Sequence, residues 1–380
     1  QGFKDHRVLS NYGVILKDLG KLQEAEISLR KAIELKPDFA EAHSNLGNIL
    51  RDLGKLQEAE LFTRKAIELN PDFTKAKMNL EALKKKSVPD WHIPMMNDHQ
   101  RNNAYLQAIK RAIQNNEFVL EIGTGSGLLS MMAIDAGAQK VISCESSQPI
   151  AKVAKEILFN NGFSNQVSVI NKKSTELIIG KELERKADLI ISEILSSEFI
   201  GEGVQSTILD ANKRLLKENG KMIPESGDMK IALLESNQAI KEAFFVERVN
   251  GYDLSRFNEY TGNKFSINNN QPNTSFLSKE KIAFSYNFYQ KENIKEQERI
   301  LELNITKNGI CLGLITWFKL NLYEDIYLET KPSGSENSHW RNVVYTFNQP
   351  LNVSKGQTIR VKATLLKDSI WFELIDIKKI

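Results

Sequence analysis

The stretch GKLQEAEISLRKAIELKPDF, residues 20 to 39, returns almost unchanged 34 positions later as GKLQEAELFTRKAIELNPDF. Gly20 comes back as Gly54, Ala25 as Ala59, Ala32 as Ala66 and Pro37 as Pro71. A fixed period of this length means stacked units, each of which buries its apolar face only against a neighbour. The offsets describe a helix pair. Gly20 and Gly54 turn the chain between helices, and the small alanines let helices approach closely. Pro37 and Pro71 end each pair, because proline cannot continue the hydrogen-bond ladder.

Period and offsets together resemble the tetratricopeptide repeat. Two repeats and a third helix, KAKMNLEALKKK, make a short array at residues 1–86. So short an array is expected to dock on the next domain, or to be the end of a longer array cut at Gln1. It serves either as a groove for a protein partner or as a structural extension. Lys84 to Lys86 read as a solvated helix end. Pro89 and Pro94 in KKKSVPDWHIP predict a linker that breaks helical periodicity twice.

With 380 residues the chain exceeds one ordinary core, so two or three domains are expected. A net charge of +3 without a basic stripe points away from nucleic acid. Cys144 and Cys311 stand at neither disulfide nor metal-ligand spacing, so no metal site and a cytoplasmic, reducing location are expected. No apolar run approaches the roughly 20 residues of a membrane helix, and no signal peptide is read. The start at Gln1 suggests a fragment or a processed form.

FVLEIGTGSGLLS, residues 118–130, reads as a buried strand, a glycine loop with Gly123, Gly125 and Gly127, and a helix start. KVISCE follows as a second strand and ends on Glu145, an acid suited to ribose hydroxyls. VSVI and ADLIIS add apolar strands with helical stretches between them. Alternation of this kind implies a parallel, doubly wound, Rossmann-like sheet with its ligand at the strand carboxyl ends. A nicotinamide enzyme is disfavoured, because the glycines run G-x-G-x-G rather than G-x-G-x-x-G.

SEILSSEFIGEG, residues 192–203, then places Glu193, Glu198 and Glu202 on the rim, with no Lys or Arg among them. The N/D-P-P-aromatic motif of DNA adenine methyltransferases is not present in this segment. Acids at this rim suit a cationic acceptor. Two carboxylates can grip such a cation through charge-assisted bonds of roughly 1.5–3 kcal/mol each.

Glu121-Ile-Gly-Thr-Gly-Ser-Gly127 resembles motif I of class I methyltransferases that use S-adenosylmethionine. Glu193 and Glu202, nine apart, resemble the double-glutamate loop of protein arginine methyltransferases, and the GEG form looks like that family's atypical branch. MMNDHQRNNAYLQAI (95–109), VERVNGYDLS (246–255) and SHWRNVVY (338–345) extend the likeness from Asp90 to the C-terminus. The resemblance implies S-adenosylmethionine as cofactor and an arginine-containing protein or peptide as substrate. It implies that Glu193 and Glu202 are the clamp and that Arg101 pairs with the cofactor carboxylate. Glu121 joins the three glycines around the methionine part, Glu145 takes the ribose, and residues near Lys173 to Thr175, with Ser174, line the adenine. Met95 stands beside the acceptor nitrogen. His339 pairs with Asp98 to assist catalysis or simply to hold structure. Trp340 walls the arginine channel or fills a barrel core, and Ser338 departs from the family's T-H-W. Glu198 is read as solvated or ion-paired.

After KENGKMIPES the pattern turns β-rich, as in DMKIALLE, TIRVKATLL and SIWFELIDI. The resemblance implies an antiparallel β-barrel over 224–380, entered at Pro224, after a methyltransferase domain over 87–223. The polar segment 256–278 matches the family's dimerisation arm in position but is short. A homodimer arm, a substrate-facing loop and disorder all stay open. Two other functions stay open as well: methyl transfer to a small or non-arginine acceptor, and a repeat scaffold carrying a degenerate enzyme domain.

Overall fold

The computed structural model describes residues 5–114, 116–201, 203–271, 274–292, 296–332, 338–367 and 369–378, the side chains at 86, 87, 238 and 239 excepted. Glu202 lies outside the described residues. The chain divides into two compact units, Gln1–Asp90 and Trp91–Ile380. No helix among the described residues is long and apolar enough to cross a membrane.

The first unit is helical: α1 (His6–Asp18), α2 (Leu22–Leu35), α3 (Ala40–Asp52), α4 (Leu56–Leu69) and α5 (Thr74–Ser87). Gly20 and Gly54 turn between paired helices at φ +77 and +78, a left-handed backbone that L side chains disfavour. All four repeated alanines are fully buried. Close packing also uses Gly13, where a Cβ would stand 2.7 Å from Leu29 Cγ, and its repeat mate Gly47, where a Cβ would meet Thr63. Lys84 sits on the exposed surface and pairs with Glu81.

The second unit opens with α6 (His92–Met96) and α7 (His99–Ala112). Pro94 therefore does not break a helix, contrary to the sequence expectation. It occupies the first turn of α6, where its missing N–H has no intrahelical acceptor to lose. There follow β1 (Phe118–Ile122), α8 (Leu128–Asp135), β2 (Lys140–Cys144), α9 (Gln148–Asn160), β3 (Val167–Ile170), β4 (Ala187–Ser192), α10 (Val204–Arg214) and β5 (Leu216–Ile223). The five strands are parallel in the order β3-β2-β1-β4-β5. β1 is buried at every position and β4 at nearly every one, which is why they read as unbroken apolar runs.

Beyond Pro224 the pairing becomes antiparallel. The elements are β6 (Ser226–Glu235), α11 (Gln238–Phe244), β7 (Arg248–Val249), β8 (Tyr252–Asp253), β9 (Lys264–Ile267), β10 (Lys281–Asn287), β11 (Gln297–Asn304), β12 (Gly309–Tyr323), β13 (Ile326–Glu329), β14 (Asn342–Val353), β15 (Thr358–Leu365) and β16 (Ile370–Lys378). One sheet runs β10-β6-β12-β14-β9 with β13 on β12, another β11-β15-β16, and β7 pairs with β8. Part of 256–278 is woven into this region. β9 pairs with β14, and the Phe276 ring stacks on Trp317 at 5.8 Å. Positions 272 and 273 lie outside the described residues.

Candidate active site

The strand order reverses between β1 and β4, so their carboxyl ends open the crevice where doubly wound sheets take ligands. Beyond β1 the backbone N–H groups of Gly123 and Thr124 both donate to the Cys144 carbonyl, at 3.0 and 3.2 Å. This ties the glycine loop to the end of β2. Gly123 and Gly125 stand at φ +87 and +53. A Cβ on Gly123 would come 2.7 Å from Ile194 Cγ2, so only glycine lets the acidic loop cross here. Met95 covers the loop, its Cε 3.8 Å from where a Cβ of Gly125 would be.

Glu145 stands at the tip of β2. Its Oε2 accepts from Gly125 N at 3.3 Å and its Oε1 from Ser147 N at 2.8 Å. Glu121, inside β1, is buried and accepts from the Ser130 and Ser143 hydroxyls. Burial pushes its carboxyl up to about 7, against the pull of those two hydroxyls. Ser174 is buried beyond β3, and its carbonyl accepts from Arg214, while Thr175 is exposed.

Beyond β4, Glu193 is buried against Arg101. Arg101 Nη2 and Nε donate to Glu193 Oε2 at 2.7 and 3.2 Å, with the two side chains 5 and 4% exposed. Arg101 lies over the Tyr105 ring at 5.4 Å, and the Tyr105 hydroxyl reaches the Ser192 carbonyl at 3.3 Å. Burial holds that phenol well above its ordinary pKa. Glu198 points elsewhere and pairs with Lys264 of β9 at 2.6 Å. Of the three acids, the structure therefore brings Glu193 into the crevice and ties Glu198 to the β-sheet region.

The segment 338–341 locks the acidic loop in place. His339 Nδ1 lies 3.0 Å from Asp98 Oδ2, which also accepts from His339 N at 3.1 Å. Asp98 Oδ1 accepts from Arg101 N at 2.9 Å and so caps α7. Burial alone would raise the Asp98 carboxyl. The hydrogen bonds from His339 and Arg101 outweigh it and hold Asp98 below its usual range. Trp340 is a core residue whose Nε1 donates to the Leu195 carbonyl at 2.9 Å, with its ring edge-on to Phe318. Arg341 N donates to Ser197 Oγ at 3.0 Å.

Sequence reasoning missed Phe199. It is fully buried at φ +71, stacked on Phe318 and edge-on to Tyr286. Such a backbone costs about 1–3 kcal/mol for a non-glycine residue. Burying the ring returns roughly 2–3 kcal/mol, enough to hold the turn between Glu198 and Gly201. The signal was the apolar pair Phe199-Ile200 inside an otherwise polar, acidic loop. Ser130, Ser143 and Thr124 were missed too, since single hydroxyls carry no spacing. At the opposite edge of the sheet a surface cleft near Glu117, Arg185 and Lys217 has its charges already paired, Arg185 and Lys217 with Asp188. Among the described residues no group of His, Cys, Asp and Glu is placed to hold a metal ion.

Comparison with known proteins matches residues 97–253 to the family described as ribosomal protein L11 methyltransferase (PrmA) and 229–378 to the PRMT5 oligomerisation domain. Residues 40–73 match the tetratricopeptide repeat. An arginine N(omega)-methyltransferase of Streptomyces achromogenes is 32% identical over 74% of this chain and 77% of its own length. Protein arginine N-methyltransferase 1.6 of Arabidopsis thaliana is 31% identical over 74% of this chain but 43% of its own length. The corresponding figures for protein arginine N-methyltransferase 7 of Drosophila erecta are 28, 73 and 47%. This chain thus spans less than half of the plant and fly relatives. Among solved structures, the Trypanosoma brucei PRMT1 enzyme–prozyme heterotetramer with AdoHcy superimposes with a TM-score of 0.63 at 27% identity, over 73% of this chain and 89% of that one. Arabidopsis thaliana protein arginine methyltransferase 10 shares the fold, with a TM-score of 0.61 at 23% identity, over 73 and 88%.

The chain belongs to the arginine N-methyltransferase family, with tetratricopeptide repeats ahead of its catalytic unit. It is an S-adenosylmethionine-dependent methyltransferase. The residues present fit that donor: a glycine loop at positive φ, an acid at the tip of β2 and a buried acceptor oxygen beneath the loop.

Proposed function

We propose that this chain methylates the guanidinium of an arginine in a protein or peptide, gripped between Glu193 and Glu202. The supporting observation is that buried Glu193 already holds a guanidinium, that of Arg101, at 2.7 Å. Both bonds from Arg101 fall on Oε2, and Oε1 takes no bond among the described residues. Oε1 is the atom offered to the acceptor. Two carboxylates draw positive charge toward the nitrogens they grip, which leaves the third nitrogen better able to attack. The bound donor supplies an electrophilic sulfonium methyl. Arg101 orients the donor carboxylate, Glu145 the ribose, and Ser174 and Thr175 border the adenine. Glu121 and the glycines shape the loop, and Met95 limits the space beside the reacting nitrogen. Asp98 and His339 assist the transfer by fixing the acidic loop relative to α7, and Trp340 walls the site.

The same reading divides the chain into repeats at 1–86, a methyltransferase domain at 87–223 and a β-barrel at 224–380, with an arm at 256–278. The repeats recruit the substrate or a partner protein. A homodimer through the arm belongs to the same reading, and the Trypanosoma relative assembles as a heterotetramer.

A second reading, free arginine as acceptor, is favoured by one observation. The Streptomyces relative, named for arginine itself, is covered over 77% of its length. A radiolabel assay with Arg-containing peptides, their Arg→Lys versions and free arginine separates the two. Peptide label that vanishes with Arg→Lys supports the first reading, and label only on free arginine supports the second. Glu193→Gln is expected to lower transfer at least about 100-fold, with S-adenosylhomocysteine binding nearly intact. Full activity in that variant removes the clamp.

A further inference from the structure

Resting on the cofactor assignment above, we propose that Thr124, Ser143, Glu121 and Ser130 form a directed hydroxyl relay that sets the glycine loop for a cationic methyl donor. Ser143 and Thr124 are its positioning residues, and donor affinity follows the charge of Glu121.

All four side chains are buried, at 3, 0, 1 and 0% exposure in that order. Ser143 Oγ lies 2.7 Å from Glu121 Oε2 and 2.6 Å from Thr124 Oγ1, and Ser130 Oγ also donates to Oε2. Each hydroxyl carries one proton, and an ionised carboxylate only accepts. With Glu121 ionised, Ser143 therefore donates to Oε2 and has no proton left for Thr124, so Thr124 is the donor of their shared bond. A proton on Oε2 reverses the chain: Glu121 donates to Ser143, and Ser143 to Thr124. Thr124 lies between Gly123 and Gly125, so the direction of the relay is imposed on the loop itself.

Simple satisfaction of buried groups does not account for the arrangement. Both serines bond Oε2, and Oε1 accepts no hydrogen bond among the described residues. An ionised carboxylate buried beside the crevice is disfavoured by its burial, and a cation bound there offsets that penalty. The charged or titratable groups facing Glu121 are Arg101 from α7, Glu145 beyond β2 and Cys144 in β2. Its neighbour on β4, Ile191, and Ser130 from α8 carry no charge. Arg101 is already tied to Glu193, and burial pushes the Cys144 thiol up to about 12, so it stays neutral. Burial is likewise the strongest influence on Glu121 and raises it to about 7, within the range where the relay can turn.

The test is calorimetric titration of the full chain with S-adenosylmethionine across the neutral range, with thermal unfolding as the folding control. Wild type is expected to bind about tenfold more weakly near pH 6 than near pH 8. Ser143→Ala removes one bond to the ionised form and is expected to move the midpoint up by about one pH unit. Glu121→Gln is expected to flatten the profile. Should Ser143→Ala fold poorly, Thr124→Val is read against Thr124→Ser, the first shifting the midpoint upward and the second keeping it at the wild-type position. An unmoved midpoint in Ser143→Ala, or Thr124→Ser behaving like Thr124→Val, overturns the relay and leaves the functional reading intact. Absence of binding by the wild-type chain overturns both.

Discussion

In the repeat unit, side chains that touch lie within about one repeat of each other: Arg30 holds Glu26 four positions away, and at the far end Asn45 reaches Ser10 and Asn79 reaches Ser44, both with a separation of 35. Around the acidic loop the partners are remote. Arg101 holds Glu193 across 92 positions, and His339 holds Asp98 across 241. The repeats thus gain their shape from neighbours along the chain, which is why a 34-residue period can encode them. The loop's shape is available only once the parallel sheet, α7 and the antiparallel strands have all formed. Loosening a repeat should therefore register locally, and loosening the loop should register in both sheets.

The sharpest break of that contrast is at Phe199. Phe199→Ala is expected to cost about 3–5 kcal/mol and to lower turnover, while Phe199→Leu keeps most of both. Chemical denaturation and steady-state assays read this. A variant that unfolds like wild type would mean the aromatic nest does not hold the loop.

Next in size is pH. The Glu121 carboxyl is raised in the folded chain, from an ordinary value near 4.5 to about 7. Between those values the folded state binds a proton that the unfolded state does not. This group's contribution to stability is therefore present at low pH and lost as pH rises through about 7. Glu121→Gln is expected to remove that slope and to stabilise the ligand-free chain near pH 8 by on the order of 1–3 kcal/mol. Melting profiles of the two proteins that run parallel with pH would place the Glu121 proton elsewhere.

The most local change expected is in the repeats. Gly47→Ala puts a methyl against Thr63 and the Ala59 carbonyl, costing about 1–3 kcal/mol by overpacking. Hydrogen exchange should quicken in α3 and α4 while β1 and β4 stay protected. Equal quickening in β1 and β4 would remove the distinction between local and remote packing.

Much of the architecture was legible beforehand. The glycine loop, the strands KVISC, VSVI and ADLIIS, and the change of rhythm after Pro224 all appear where periodicity and glycine placement put them. Pro94 was misread because a proline signals a break only outside a helix's first turn. Trp340 was readable as a wall or as core, and its bond to the Leu195 carbonyl shows what it fastens. The motif assigns Arg101 to the cofactor, but nothing in its local sequence announced its hold on Glu193. Segment 256–278 looked like loose polar chain, because the pairing of β9 with β14 joins residues about 80 apart.

From its sequence alone this chain is determined to carry a helical repeat array, a glycine-looped parallel sheet and an acidic rim, since each is written in residues a few positions apart. Which acid enters the crevice, which one binds a lysine of the β-sheet region, and how Glu121 joins three hydroxyls were decided by tertiary structure. Those contacts depend on side chains that become neighbours only after the sheets close over them, where burial sets how strongly charge and hydrogen bonds act.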